Sequence, residues 1–288
     1  MQWYGDNSEL NGIWDADLPD ILLFGGIALR KDAVPQLQQV IIRNKKRYSD
    51  HPYFPIKYNF RGLETWYKQR GLSILYKQLL HDSRTWRQKI VDESLECEYK
   101  IIISCVNIFG QTADRIRQSK EMAVRFCFSN ALMRVALLAS EYNTSTCDVI
   151  LDWPEGNMHA PYTDEYRSAY VLGCCELFPE IRYFAGPLKE VGFSESPFFT
   201  RMEDSSLLQF SDLVVGATRE FIDFCFNKKP INAFGVQLIK SLVPKFRGYP
   251  HRIIGRGISV APPNGTFRDS LFQGMLKLRY GSNIDKNK

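Results

Sequence analysis

Three aspartates occupy positions from which they can act together. Asp6 ends a short opening run, Trp3-Tyr4-Gly5-Asp6. Asp152 ends the run Cys147-Asp148-Val149-Ile150-Leu151-Asp152, and Asp212 lies inside Leu207-Leu208-Gln209-Phe210-Ser211-Asp212-Leu213-Val214. A carboxylate at the mouth of a buried strand is expensive unless it is solvated, paired or bound to metal. Aspartate is also a poor residue for a helix interior, so Asp212 needs something to hold it there. Three such groups brought to one place supply hard oxygen ligands, which suit Mg²⁺ or Mn²⁺. Crowded like charges are unstable without a cation. A pair of such ions can activate water and stabilise the leaving oxygen of a phosphodiester. Each residue also has an ordinary explanation when taken singly. Asp6-Asn7-Ser8 reads as a turn, Asp152 before Trp153-Pro154 as a strand end, and Asp212 as a half-buried partner of Lys or Arg.

The elements that must position these residues follow from apolar periodicity. Residues 1–6 predict a short strand, and residues 7–19 a turn-rich stretch. Asp20-Ile21-Leu22-Leu23-Phe24-Gly25-Gly26-Ile27-Ala28-Leu29 predicts a buried strand antiparallel to the first. Tyr99–Val106 and Cys147–Trp153 predict two more strands, and 182–191 a further one interrupted at Gly186-Pro187. Helices are predicted over 34–48, 62–80 with a break at Gly71, 119–142, 162–177, 207–226 and 234–242. Asp204-Ser205-Ser206 supplies the N-cap of the helix carrying Asp212. Within that helix Gln209, Asp212 and Gly216 share one stripe, and Gly216 leaves room for another segment to approach. Strands alternating with long helices predict an α/β fold, a sheet with helices packed against it.

Composition narrows the function classes. Of 288 residues, 44% are hydrophobic and 24% charged, so the chain can bury a core and is not disordered. No unbroken run of about 18 apolar residues occurs, and the opening residues do not resemble a secretory signal. Seven cysteines without a C-x-x-C pair predict reduced, buried thiols in a cytoplasmic protein and no cysteine zinc site. From Phe226 to Lys288 there are twelve Lys or Arg against two acids, a net +10, whereas the remainder carries −5 of the overall +5. Such a basic segment suits phosphate attraction as well as it suits a plain solvated surface. Gly255-Arg256-Gly257-Ile258 lacks the Gly-Lys-Ser/Thr of a nucleotide-hydrolysing loop, and no Gly-x-Ser-x-Gly elbow is present. Trp66, Tyr67, Tyr76 and Trp86 alternate with Lys68, Arg70, Lys77, Arg84 and Arg87. That pattern fits a base-stacking surface or a helical layer covering the core. His159 is an acid–base candidate and Glu155 a spare ligand near Asp152.

The order Asp6-Asn7-Ser8, Leu23-Phe24-Gly25-Gly26-Ile27-Ala28, Ile56-Lys57-Tyr58, Val149-Ile150-Leu151-Asp152 and Leu208-Gln209-Phe210-Ser211-Asp212-Leu213-Val214 resembles a bacterial and phage family described as domain of unknown function 3800, grouped with RNase-H-like folds. The family's usual Asp-Glu-Ser-Gly is Asp6-Asn7-Ser8-Glu9 here, and its Ala before the helical Asp is Ser211. The resemblance spans about residues 1–225 and implies an RNase-H-like mixed sheet flanked by helices, followed by a basic C-terminal extension (226–288) packed on that domain. It implies a divalent-metal-dependent nuclease with Asp6, Asp152 and Asp212 as Mg²⁺ or Mn²⁺ ligands. Lys57 would join them at a phosphate or at developing charge, and Ser8 and Gln209 would contact substrate. Nucleic acid, DNA or RNA, is the expected partner, with no membrane association. The alternative expectation is a catalytically inactive RNase-H-like module that binds nucleic acid or a protein partner in a phage-defence or mobile-element system.

Overall fold

The computed structural model describes residues 1–8, 21–107, 113–154, 159–261 and 265–281. The turn-rich stretch predicted over residues 7–19 lies outside these from residue 9 onward, as do Glu9 and Glu155, whereas Asn7 and Ser8, expected in a turn, continue the first strand beyond Asp6.

Six strands form one mixed sheet: β1 Gln2–Ser8, β2 Ile21–Leu29, β3 Lys100–Asn107, β4 Asp148–Asp152, β5 Phe198–Thr200 and β6 Ile258–Ala261. Their spatial order is β5-β4-β1-β2-β3-β6. β1, β2 and β3 run antiparallel in turn, while β4 pairs parallel with β1, β5 with β4, and β6 with β3. Ten helices are described: α1 Val34–Lys45, α2 Glu64–Gln69, α3 Ser73–His81, α4 Ser83–Ser94, α5 Ala113–Glu141, α6 Ala160–Leu172, α7 Ser206–Cys225, α8 Phe234–Leu242, the short α9 Ile253–Arg256 and α10 Gly265–Tyr280. This is the α/β class anticipated, a mixed sheet flanked by helices and consistent with an RNase-H-like fold.

Strand alternation divides the core into two layers. Tyr4, Leu23, Ile27 and Ile103 pack with α7, α1, α4, α8 and α10, whereas Trp3, Leu22, Phe24 and Ile102 pack with α5 and α6. β2 is buried along its whole length because both its faces are covered, as its continuous apolar run requires. Residues 121–141 of α5 are long and apolar enough to cross a membrane, yet most of that stretch is buried against the sheet, with Cys127, Phe128, Ala131 and Leu132 in the core. The cysteines are all free, six of them buried.

Several boundaries differ from the sequence expectation for physical reasons. The helix expected over 162–177 stops at Leu172, where Gly173 takes a left-handed conformation (φ 64°) and lies so close to Pro187 that a Cβ would not fit. No strand forms over 182–191; Gly186-Pro187 turns the chain into a 3₁₀ turn at Leu188–Val191. The strand beside β4 is instead the three-residue β5, too short to show a period. The described part of the segment 226–288 is built into the domain: β6 extends the sheet, and α8 and α10 pack on α7.

The pair Gly25-Gly26 is explained by close packing. A Cβ on Gly25 would lie 2.2 Å from the Ile102 carbonyl oxygen, and one on Gly26 would lie 2.1 Å from the Tyr4 carbonyl oxygen and 2.8 Å from Ser211 Oγ. Ser211 Oγ donates to that same Tyr4 carbonyl at 2.8 Å, so α7 is seated directly on β1 and β2. Gly26→Ala is expected to destabilise the protein by about 1–3 kcal/mol, because overpacking here displaces backbone; denaturant unfolding with an unchanged m-value checks it.

Candidate active site

β1 and β4 deliver their carboxylates to the α7 side of the sheet. Asp6 is two residues beyond Tyr4, and Asp152 two beyond Ile150; Tyr4 and Ile150 both pack in the α7 layer. α7 itself begins at the Ser205 cap, whose Oγ accepts the Leu208 N–H at 3.3 Å. It then carries Asp212 to the same place. Asp6, Asp152, Asp212, Lys57 and Ser8 all line one cavity of about 290 Å³, together with Asn7, Asn59, Phe24, Trp153 and Tyr162. The structure thus gathers four predicted catalytic residues and one predicted substrate residue.

Each aspartate is anchored through one oxygen. Asp6 Oδ1 accepts the Asn7 N–H at 2.8 Å, and Asp152 Oδ1 accepts those of Trp153 at 2.9 Å and Met202 at 2.7 Å. Asp212 Oδ2 accepts the Tyr58 N–H. Asp6 Oδ2, Asp152 Oδ2 and Asp212 Oδ1 accept no hydrogen bond among the described residues. Lys57 forms no ion pair with a described carboxylate, though its charge favours ionisation of all three. Burial first, then the Asp212 and Asp152 charges, push the Asp6 carboxyl well above the usual carboxylate range. Burial pushes Asp212 up to about 6, against the Tyr58 N–H and the Lys57 charge. Burial raises Asp152 as well. Among the described residues, no three His, Cys, Asp or Glu side chains are grouped closely enough to hold a metal ion as they stand. The donor chemistry nonetheless suits a hard cation: acidic oxygens, one uncommitted on each aspartate, in a cavity where their charges repel.

Lys57 belongs to a segment with no secondary structure of its own, and side chains from four helices hold its backbone. Lys45 of α1 donates to the Phe54 carbonyl at 2.6 Å, and Tyr67 of α2 to the Pro55 carbonyl at 2.7 Å. Gln209 of α7 accepts the Ile56 N–H at 3.3 Å. Arg87 of α4 donates to the Lys57 carbonyl at 3.1 Å and also to the Tyr58 carbonyl. Asp212 accepts the Tyr58 N–H, and the Tyr58 ring fills the space that Gly216 leaves, where a Cβ would lie 2.3 Å from Tyr58 Cγ. The Gln209, Asp212, Gly216 stripe therefore receives one extended segment.

This corrects the expected role of Gln209. It does not line the cavity, and its side chain is buried and fully engaged. Oε1 accepts from Lys45 and Ile56, while Nε2 donates to the Met202 and Glu203 carbonyls at 3.0 and 3.1 Å. Because the Met202 N–H holds Asp152, Gln209 braces both backbone segments that anchor aspartates. Lys45, without a carboxylate partner, has its pKa lowered by burial to about 7.

Other expectations also shift. Tyr67, Tyr76, Trp86 and Arg87 are core residues. Of that aromatic and basic series only Trp66 lies half-buried with an arginine, Arg70, stacked over its ring at 4.0 Å. His159 does not line the cavity; its ring packs against Trp153 and Phe199, and its buried Nδ1 has no partner among the described residues. Sequence reasoning missed Asn59, Phe24, Tyr162 and Trp153 as cavity walls, although Trp153 adjoins Asp152. It also missed Lys45 and Arg87 as positioning residues; no local sequence signal marks a lysine or arginine that pairs with distant carbonyls.

No protein-family model matches the chain, and neither a curated protein nor a solved structure is detectably similar to it.

The raised carboxyl at Asp212 costs stability, with a definite pH window. Below about pH 4 it is protonated whether folded or unfolded, and no cost arises. The cost grows as pH rises from 3.8 to about 6 and is complete above that. In chelator-containing buffer Asp212→Asn, which keeps an acceptor for Tyr58, is expected to match the parent near pH 3.5. Above pH 6 it is expected to exceed the parent by on the order of 1–3 kcal/mol. Denaturant unfolding across that range tests it, and a constant difference at all pH values would refute it.

Proposed function

We propose that the cavity is the active centre of a divalent-metal-dependent phosphodiesterase of RNase-H-like type that acts on nucleic acid. One observation carries the reading: Asp6, Asp152 and Asp212 reach a single cavity from two strands and a helix, each with an uncommitted oxygen, beside an unpaired Lys57. Grouped carboxylates that destabilise one another and have no ion-pair partner among the described residues are characteristic of sites arranged for a ligand. Asp6, Asp152 and Asp212 would hold Mg²⁺ or Mn²⁺, which supplies activation of water and neutralisation of phosphate charge. Lys57, fixed by the bonds on either side of it, would meet a phosphate oxygen. Ser8 Oγ accepts from Arg219 at 2.9 Å, leaving its own proton for a substrate oxygen.

A second reading, a nucleic-acid-binding module without hydrolysis, is favoured by the lack of a ready three-carboxylate metal cluster among the described residues. Calorimetric Mn²⁺ titration combined with cleavage assays on single- and double-stranded DNA and RNA separates the two. The nuclease reading expects Mn²⁺ binding that Asp6→Asn weakens. It also expects cleavage that Asp212→Ala lowers by at least about a hundredfold, the scale of a lost metal interaction, with the melting profile showing an intact fold. Binding of nucleic acid without cleavage or Mn²⁺ uptake would establish the second reading instead.

A further inference from the structure

A separate depression of about 520 Å³ lies between the turn of α9 and helix α10. Arg252 and Arg256 reach it from one side of the turn and Arg268 from α10, and Phe272, one turn beyond Arg268, forms part of its wall. None of the three guanidinium groups has an ion-pair partner among the described residues, although Asp269 also borders the depression. Phe272 is 46% exposed, unusual for a phenylalanine on a helix whose other face is well packed. The turn that sets the arrangement needs a glycine: Gly255 has φ +103°, and the Arg268 guanidinium lies over it, 3.9 Å from where a Cβ would be. A shoulder of the same character adjoins it. Arg279 donates to the Pro250 carbonyl at 2.6 Å and stacks over Tyr249 and Tyr280, both exposed.

Three like charges against the single carboxylate of Asp269 leave an excess of positive charge, and an anion relieves the repulsion among them. Guanidinium forks match phosphate oxygens in pairs. A concave basic surface with an aromatic wall is the arrangement that receives a strand's backbone and stacks one of its bases; a volume of this size accommodates a nucleotide-sized ligand. We infer that the depression bordered by Arg252, Arg256, Arg268 and Phe272 is a binding site for single-stranded nucleic acid, with phosphates on the arginines and a base on Phe272. The inference rests on the nucleic-acid reading above but not on hydrolysis. It gives the +10 segment a defined point of contact, where sequence left only a diffuse charge.

Fluorescence anisotropy with labelled oligonucleotides of roughly 20 residues, single-stranded DNA, single-stranded RNA and duplex DNA, tests it in chelator, where metal-dependent cleavage cannot occur. The Arg256→Gln/Arg268→Gln double variant should bind single strands about tenfold or more weakly. Its slope of log affinity against log salt should fall by about 1.4, the loss of two single-strand phosphate contacts. Phe272→Ala should weaken single-strand binding roughly fivefold or more with the slope unchanged. All these side chains are exposed, and unchanged melting profiles would confirm that the variants fold. Unaltered binding by both sets of variants, or tighter binding of duplex that ignores Phe272, would overturn the site. Failure of the parent to bind any oligonucleotide at low salt would overturn both. Binding that depends on the arginines, in a protein that cleaves nothing with Mn²⁺, would uphold this site and remove the nuclease reading.

Discussion

The backbone of Phe54–Tyr58 has polar groups inside the protein but no strand or helix to satisfy them. Buried backbone groups must be paired, and here side chains do the pairing: Lys45, Tyr67, Gln209, Arg87 and Asp212 each take a part. The consequence is a segment whose path is set by four helices at once, and Lys57 inherits its position from that path. Loss of one partner would leave a buried donor or acceptor unmet, which costs more than the bond itself contributes. The site is therefore as rigid as the packing of α1, α2, α4 and α7 around it.

Gln209 joins this segment to the other half of the site. One of its amide atoms serves Ile56 and Lys45, the other serves Met202 and Glu203, and Met202 in turn serves Asp152. A buried primary amide is suited to this because it both donates and accepts along one rigid plane. A carboxylate at 209 would face the Met202 and Glu203 carbonyls without a proton to give them. The arrangement also explains why α7 must approach the sheet closely, through Ser211 on Tyr4 and the absence of side chains at Gly25 and Gly26. Only then do Asp6 and Asp212 reach the same cavity.

Burying three carboxylates near one another is a thermodynamic burden, visible in the raised Asp6 and Asp212 protonation ranges. Other charged groups are directly paired. Glu93 is surrounded by Arg43, Arg47 and Asn44, and Arg247 is paired with Glu141. The contrast separates charges that serve the fold from charges held for something else. The unpaired arginines around Phe272 fall in the second group, on a part of the chain that also completes the sheet through β6.

The sequence by itself determined the α/β class, because apolar runs of strand length alternate with long amphipathic stretches, and local periodicity is a short-range property. It also determined that Asp6, Asp152 and Asp212 end or interrupt such runs, and that Asp204-Ser205-Ser206 contains the cap of α7, which the structure assigns to Ser205. It did not show β5, which is three residues long, nor the stop at Gly173, since Cys174-Cys175 continue the apolar pattern beyond it. It placed Gln209 at substrate when its partners are Lys45, Ile56, Met202 and Glu203. Only the tertiary structure decided that, because each of those bonds closes a loop in the chain or crosses between elements. A side chain's local sequence cannot reveal which distant carbonyl it will meet.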